Sequence, residues 1–229
     1  MYRMGKASVY CYYYGKGGTR MNRNRLLREE SLRVHMDEED AVARLSEQLF
    51  HYVKENIDRE LIVVCIGTDR STGDALGPLV GSILEQAHLQ YFQIYGTLEH
   101  PVHAVNLVER IEHIKHQHPD AFILAIDACL GRSTNIGTIT LASGPIQPGA
   151  AVKKQLPAIG DVHIAGVVNV GGMMEYIVLQ NTRLYTVVKM AERIANVIMK
   201  TDATLKSTYY TPSLFHFLKN KKVRSKNAL

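Results

Sequence analysis

Three ionisable residues stand where an apolar run meets a loop: Asp74 in CIGTDRSTGDALGP, Asp127 at the end of AFILAIDA, and His163 in GDVHIAGV. Two carboxylates brought close together can share a proton, so that one takes a proton from water while the other gives one to the substrate. Such a pair needs no cofactor. An imidazole beside them would complete an Asp/Asp/His set, which suits hydrolysis or an oxygen-and-nitrogen site for a divalent metal at Asp74, Asp127 and His163.

Each residue also has a plainer account. Asp74 precedes a helical pattern, where a carboxylate caps the first amides. Asp127 is harder to dismiss, because an aspartate closing AFILAI has little structural purpose. A single histidine such as His163 at the head of a strand is more often structural. In the first loop Asp69 and Arg70 are candidates for orienting a substrate, and Lys153 and Lys154 for contacting an acidic partner. All four are equally accounted for as solvated loop residues. The glycines of the first stretch do not form a phosphate loop, since neither a Gly-Lys-Ser/Thr ending nor G-x-G-x-x-G spacing is present. His113, His116 and His118 follow one another in HIKHQH with no evident carboxylate partner, which favours surface placement.

The elements that must hold these residues are legible in the hydrophobic pattern. Ala41, Val42, Leu45, Leu49 and Val53 recur at helical spacing behind the acids of DEED. LIVVCIG and AFILAIDA are short, wholly apolar runs, as expected of strands covered on both faces. FQIYGTL, GTITLA and HIAGVVNV read as further strands, DALGPLVGSILEQ and AVNLVERIEHIKHQH as crossover helices, and the stretch from MMEYIVLQ onward as one or two C-terminal helices. Strands alternating with helices predict an α/β three-layer sandwich, a mostly parallel central sheet flanked by helices. In such a sheet chemistry gathers beyond the carboxyl ends of the strands.

A chain of 229 residues that is 46% hydrophobic supplies a core for one domain. The net charge of +5 resides in the ends. Residues 1–35 carry eight Lys or Arg against two acids and residues 201–229 six against one, which leaves the body at −6. The expected organisation is a basic, disordered extension over 1–35, an α/β domain over 36–200 and a basic tail over 201–229. An acidic body argues against nucleic acid as a partner, because attachment to phosphates needs cations. No apolar segment reaches the ~18 residues of a membrane span, and the first residues lack the apolar core of a signal peptide. Cys11, Cys65 and Cys129 form no C-x-x-C pair, and two of them lie in apolar runs, as expected of thiols in a reducing compartment.

Together CIGTDRSTGDALGP, AIDACLGR and GPIQPGAAVKKQLPAIGDVHIAGVVNV resemble the YyaC family of sporulation proteins, a group related to the germination protease of spore-forming bacteria. The germination protease carries one aspartate in a P-D-A-L-G-P segment and another in A-I-D-A, and the resemblance implies that Asp74 and Asp127 correspond to its catalytic pair. It further implies a peptide hydrolase acting on protein or peptide substrates, small acid-soluble spore proteins among the candidates, in the cytoplasm of the mother cell or forespore. In the hydrogenase maturation proteases of the wider fold group, two acids and a histidine hold nickel, and Asp74, Asp127 and His163 occupy the matching positions. The other function left open is a catalytically inactive sporulation scaffold, or a peptide- or metal-binding protein, of the same fold.

Overall fold

The computed structural model describes residues 31–148, 156–172 and 174–209. Its apolar runs form the centre of one sheet. The strands are β1 (Leu32–His35), β2 (Leu61–Cys65), β3 (Phe92–Tyr95), β4 (Phe122–Gly131), β5 (Thr138–Ser143) and β6 (Val162–Val170), arranged β1-β5-β6-β4-β2-β3. β3, β2, β4 and β6 run parallel, β5 is antiparallel to β6, and β1 is antiparallel to β5. All five side chains of β2 are buried, because helices cover both faces of the sheet.

One face packs against α1 (Ala41–Lys54), α2 (Leu76–Gln86) and the long α5 (Leu184–Tyr209), and the other against α3 (Leu107–Gln117). A short helix, α4 (Glu175–Gln180), follows β6. The fold is therefore the expected α/β sandwich with a mixed, mostly parallel sheet. Among the described residues no helix is long and apolar enough to cross a membrane. Cys65 is buried and Cys129 half-buried, and neither is in a disulfide.

Two details depart from the sequence reading. The described elements extend past 36–200 at both ends, since β1 begins at Leu32 and α5 runs to Tyr209, while residues 1–30 and 210–229 lie outside the described residues. SLRVH has too little apolar character to announce itself, and β1 is held instead by its pairing with β5 and by a hydrogen bond of 3.0 Å between His35 Nε2 and the Ile136 carbonyl. At the other end, Asp202 of α5 accepts hydrogen bonds from the Gln90 and Tyr91 amides at 3.2 and 2.8 Å, which fastens the helix to the entry of β3.

The second departure concerns Asp127. It does not close its strand but is the sixth of ten residues, because β6 pairs with β4 as far as Gly131. Relative to β2, however, it lies just past the end, since Cys65 is level with Ile126.

Candidate active site

The turn that carries Asp74 is shaped by close backbone approach. The Ile66 amide donates to the Ile126 carbonyl at 2.7 Å, and the next amide, Gly67, donates to the Val102 carbonyl at 2.8 Å. Gly67 has φ +141, and a Cβ there would overlap the Asp74 carbonyl, so the position requires glycine. Thr68 N–H then donates to that same carbonyl at 3.1 Å. The chain turns through a short 3-10 segment, Gly73–Ala75, and enters α2, where the absence of a side chain at Gly77 lets the helix sit on the Ile66 carbonyl.

Neither the 3-10 segment nor α2 has a side-chain cap at its N-cap residue, so the capping account of Asp74 does not hold. Its carboxyl is mostly buried, and that burial raises its pKa above the ordinary value. The adjacent Thr68 N–H and the charge of His103 pull in the other direction. Ser71, in the same turn, has a buried hydroxyl with no hydrogen-bond partner among the described residues.

His103 was not singled out by sequence, where EHPVHAVN reads only as the approach to a helix. Val102 forms a parallel bridge with Ile66, which places His103 beside the Asp74 turn. The Val105 amide donates to His103 Nδ1 at 3.3 Å, which fixes the orientation of the ring. The His103 amide in turn donates to Asn106 Oδ1 at 2.8 Å, at the start of α3. The available signal was positional: a histidine in the loop beyond β3, the second of the parallel strands.

Asp127 is 6% exposed. Its Oδ1 accepts the Ala128 amide at 2.9 Å. The 3-10 segment bearing Asp74 packs directly against β4, so both aspartates belong to the same edge of the sheet. Asp69 and Arg70 are exposed in the intervening loop, braced by a hydrogen bond of 3.3 Å from the Arg70 amide to Thr68 Oγ1. Lys153 and Lys154 lie outside the described residues.

His163 stands apart. It is the second residue of β6, at the amino end of that strand and level with Ala125, two positions before the neighbour of Asp127. That offset is about 7 Å of strand rise. Its Nδ1–H donates to the Gly144 carbonyl at 2.8 Å, as a buried structural histidine does. Among the described residues no three His, Cys, Asp or Glu side chains gather as a metal-binding cluster, so Asp74, Asp127 and His163 do not come together as one ligand set. His118, expected on the surface, is instead largely covered and joins Glu60 Oε2 through Nδ1 and the Tyr95 hydroxyl through Nε2, at 2.5 and 2.8 Å. The sequence hid this link because Glu60 is 58 residues away.

A family model described as "Protein of unknown function (DUF1256)" matches residues 33–197, most of the chain. The chain belongs to the DUF1256 family. The matched span begins in β1 and ends in α5, and takes in Asp74, His103, Asp127 and His163. This DUF1256 protein is 48% identical to YyaC of Bacillus subtilis over 178 residues, 77% of this chain and 87% of that protein. Among solved structures it is similar to the [NiFe] hydrogenase maturation protease HycI of Thermococcus kodakarensis, at 19% identity and a TM-score of 0.44, over 66% of this chain and 99% of the other.

Proposed function

We propose that this DUF1256 member is a peptide hydrolase whose working groups are Asp74 and Asp127. The observation that carries the reading is the buried Asp74 carboxyl, with its raised pKa, on a turn packed against the strand that bears Asp127. Burial raises the proton affinity of the Asp74 carboxyl and so suits it to donate, and the Asp127 carboxylate on the strand against which its turn packs is assigned as the base for water. In this scheme Asp127 takes a proton from the attacking water while Asp74 gives its own to the peptide carbonyl oxygen. Asp127 then passes the water's proton to the leaving nitrogen, and collapse of the resulting gem-diol to the acid returns a hydroxyl proton to Asp74. His103 regulates the proton affinity of Asp74. The motif resemblance to the germination protease supports the same pair and makes spore proteins the first substrates to try.

The test is cleavage of spore-protein extract by the purified full chain, read by mass spectrometry, beside Asp74→Asn and Asp127→Asn. Each single variant is expected to lose about 100-fold or more of the rate. Cleavage that survives both substitutions would refute the assignment.

A further inference from the structure

The carboxyl edge of the sheet carries, besides the aspartates, a surface that the proposed chemistry does not use. Nine large hydrophobic side chains are exposed among the described residues, and six of them fall between positions 170 and 185: Val170, Met174, Tyr176, Ile177, Leu184 and Tyr185. Scattered exposed apolar residues need no explanation, but a concentrated group marks an interaction surface. The backbone holds the group next to the Asp74 turn. Asn169 Nδ2 donates to the Val178 carbonyl and to Thr182 Oγ1 at 3.3 and 3.2 Å, which ties α4 to the end of β6. On the inner side, Leu179 and Thr182 press so closely on Gly73 that a Cβ there would clash with both.

Arginines stand around this surface. Arg183 is exposed, with its guanidinium 5.1 Å above the Tyr185 ring. Arg132 is exposed beside Gly131, whose carbonyl accepts the Gly171 amide at 2.8 Å. Arg70 is exposed in the loop leading to Gly73. None of the three has a carboxylate partner among the ion pairs of the described residues. Asp69 and Glu175 are the acids on the same segments, and Glu175 is half-buried. Tyrosine, methionine and arginine with few carboxylates and little lysine is the composition of a protein interface.

We infer that the α4 surface and the start of α5 dock an acidic, amphipathic segment of a partner protein, its apolar side chains on Tyr176, Ile177 and Leu184 and its carboxylates on Arg132 and Arg183. Docking here stands whether or not the held protein is cleaved, so its test is binding alone. The probe is a fluorescent amphipathic peptide with glutamates on its polar face, titrated with the full chain, beside the same peptide with lysines in place of glutamates.

The glutamate peptide is expected to bind more tightly, and the difference to shrink as salt is raised. Arg132→Glu with Arg183→Glu is expected to weaken it about tenfold. Tyr176→Ser with Ile177→Ser should abolish binding while the circular dichroism spectrum stays that of the parent. Equal binding of both peptides, or no binding of either, overturns the proposal. Two further results would do the same: capture by phosphatidylserine vesicles that these substitutions remove, assigning the surface to membranes, or a concentration-dependent dimer that they remove, assigning it to a second copy.

Discussion

His103 lies within electrostatic reach of Asp74, and its charge lowers the proton affinity that burial raises in that carboxyl. The pair is assembled by backbone, through the Ile66 bridge to Val102 and the contact of Gly67 with the Asp74 carbonyl.

A buried carboxyl with a raised pKa disfavours the fold once it ionises. The native state holds the Asp74 proton at pH values where the unfolded chain has released it, so stability falls as pH rises from the unfolded pKa through the folded one. Asp74→Asn removes that dependence. The variant is expected to melt at a higher temperature than the parent at neutral pH, with the difference vanishing towards pH 3. Thermal melts between pH 3 and pH 8 check this, and a variant less stable at neutral pH would contradict it.

Replacing His103 withdraws a charge that favours the ionised carboxyl. In His103→Gln the pKa of Asp74 is expected to move further up, and the basic limb of the peptidase pH profile with it. An unmoved basic limb would remove His103 from the site.

Ser71 offers a test of function against stability. Its buried hydroxyl has no partner among the described residues, and such a group costs about 1–3 kcal/mol. Ser71→Ala is expected to stabilise the fold towards urea. If substrate satisfies the hydroxyl, the same variant raises KM, and a lowered stability would contradict the account.

For His163 the expectation is structural. His163→Ala loses the bond to Gly144 and exchanges a buried ring for a cavity, which should cost about 2–4 kcal/mol in urea unfolding. His163→Asn, whose amide can still donate, should recover part of it. Equal damage from both substitutions would argue for a role of the ring beyond this bond.

The parallel strands were legible because they are buried on both faces, and a run such as LIVVC admits little else. β1 was not legible, since SLRVH is ordered by pairing rather than by its own hydrophobicity. The length of β4 was hidden for a related reason: whether a strand continues past Asp127 depends on how far its neighbour β6 reaches. The same register sets His163 at the head of β6, level with Ala125 and so inside the sheet rather than beside Asp127. His103 was missed because nothing local marks it, and only the return of Val102 to Ile66 brings it to the site.

The measurement closest to the central claim is the rate of peptide cleavage by the parent chain, by Asp74→Asn, by Asp127→Asn and by the double variant. Residues acting as one unit are not additive, so the double variant should be no slower than the slower single one, each at least about 100-fold below the parent. A parent chain without peptidase activity, or a double variant that cleaves at the parental rate, would contradict the account.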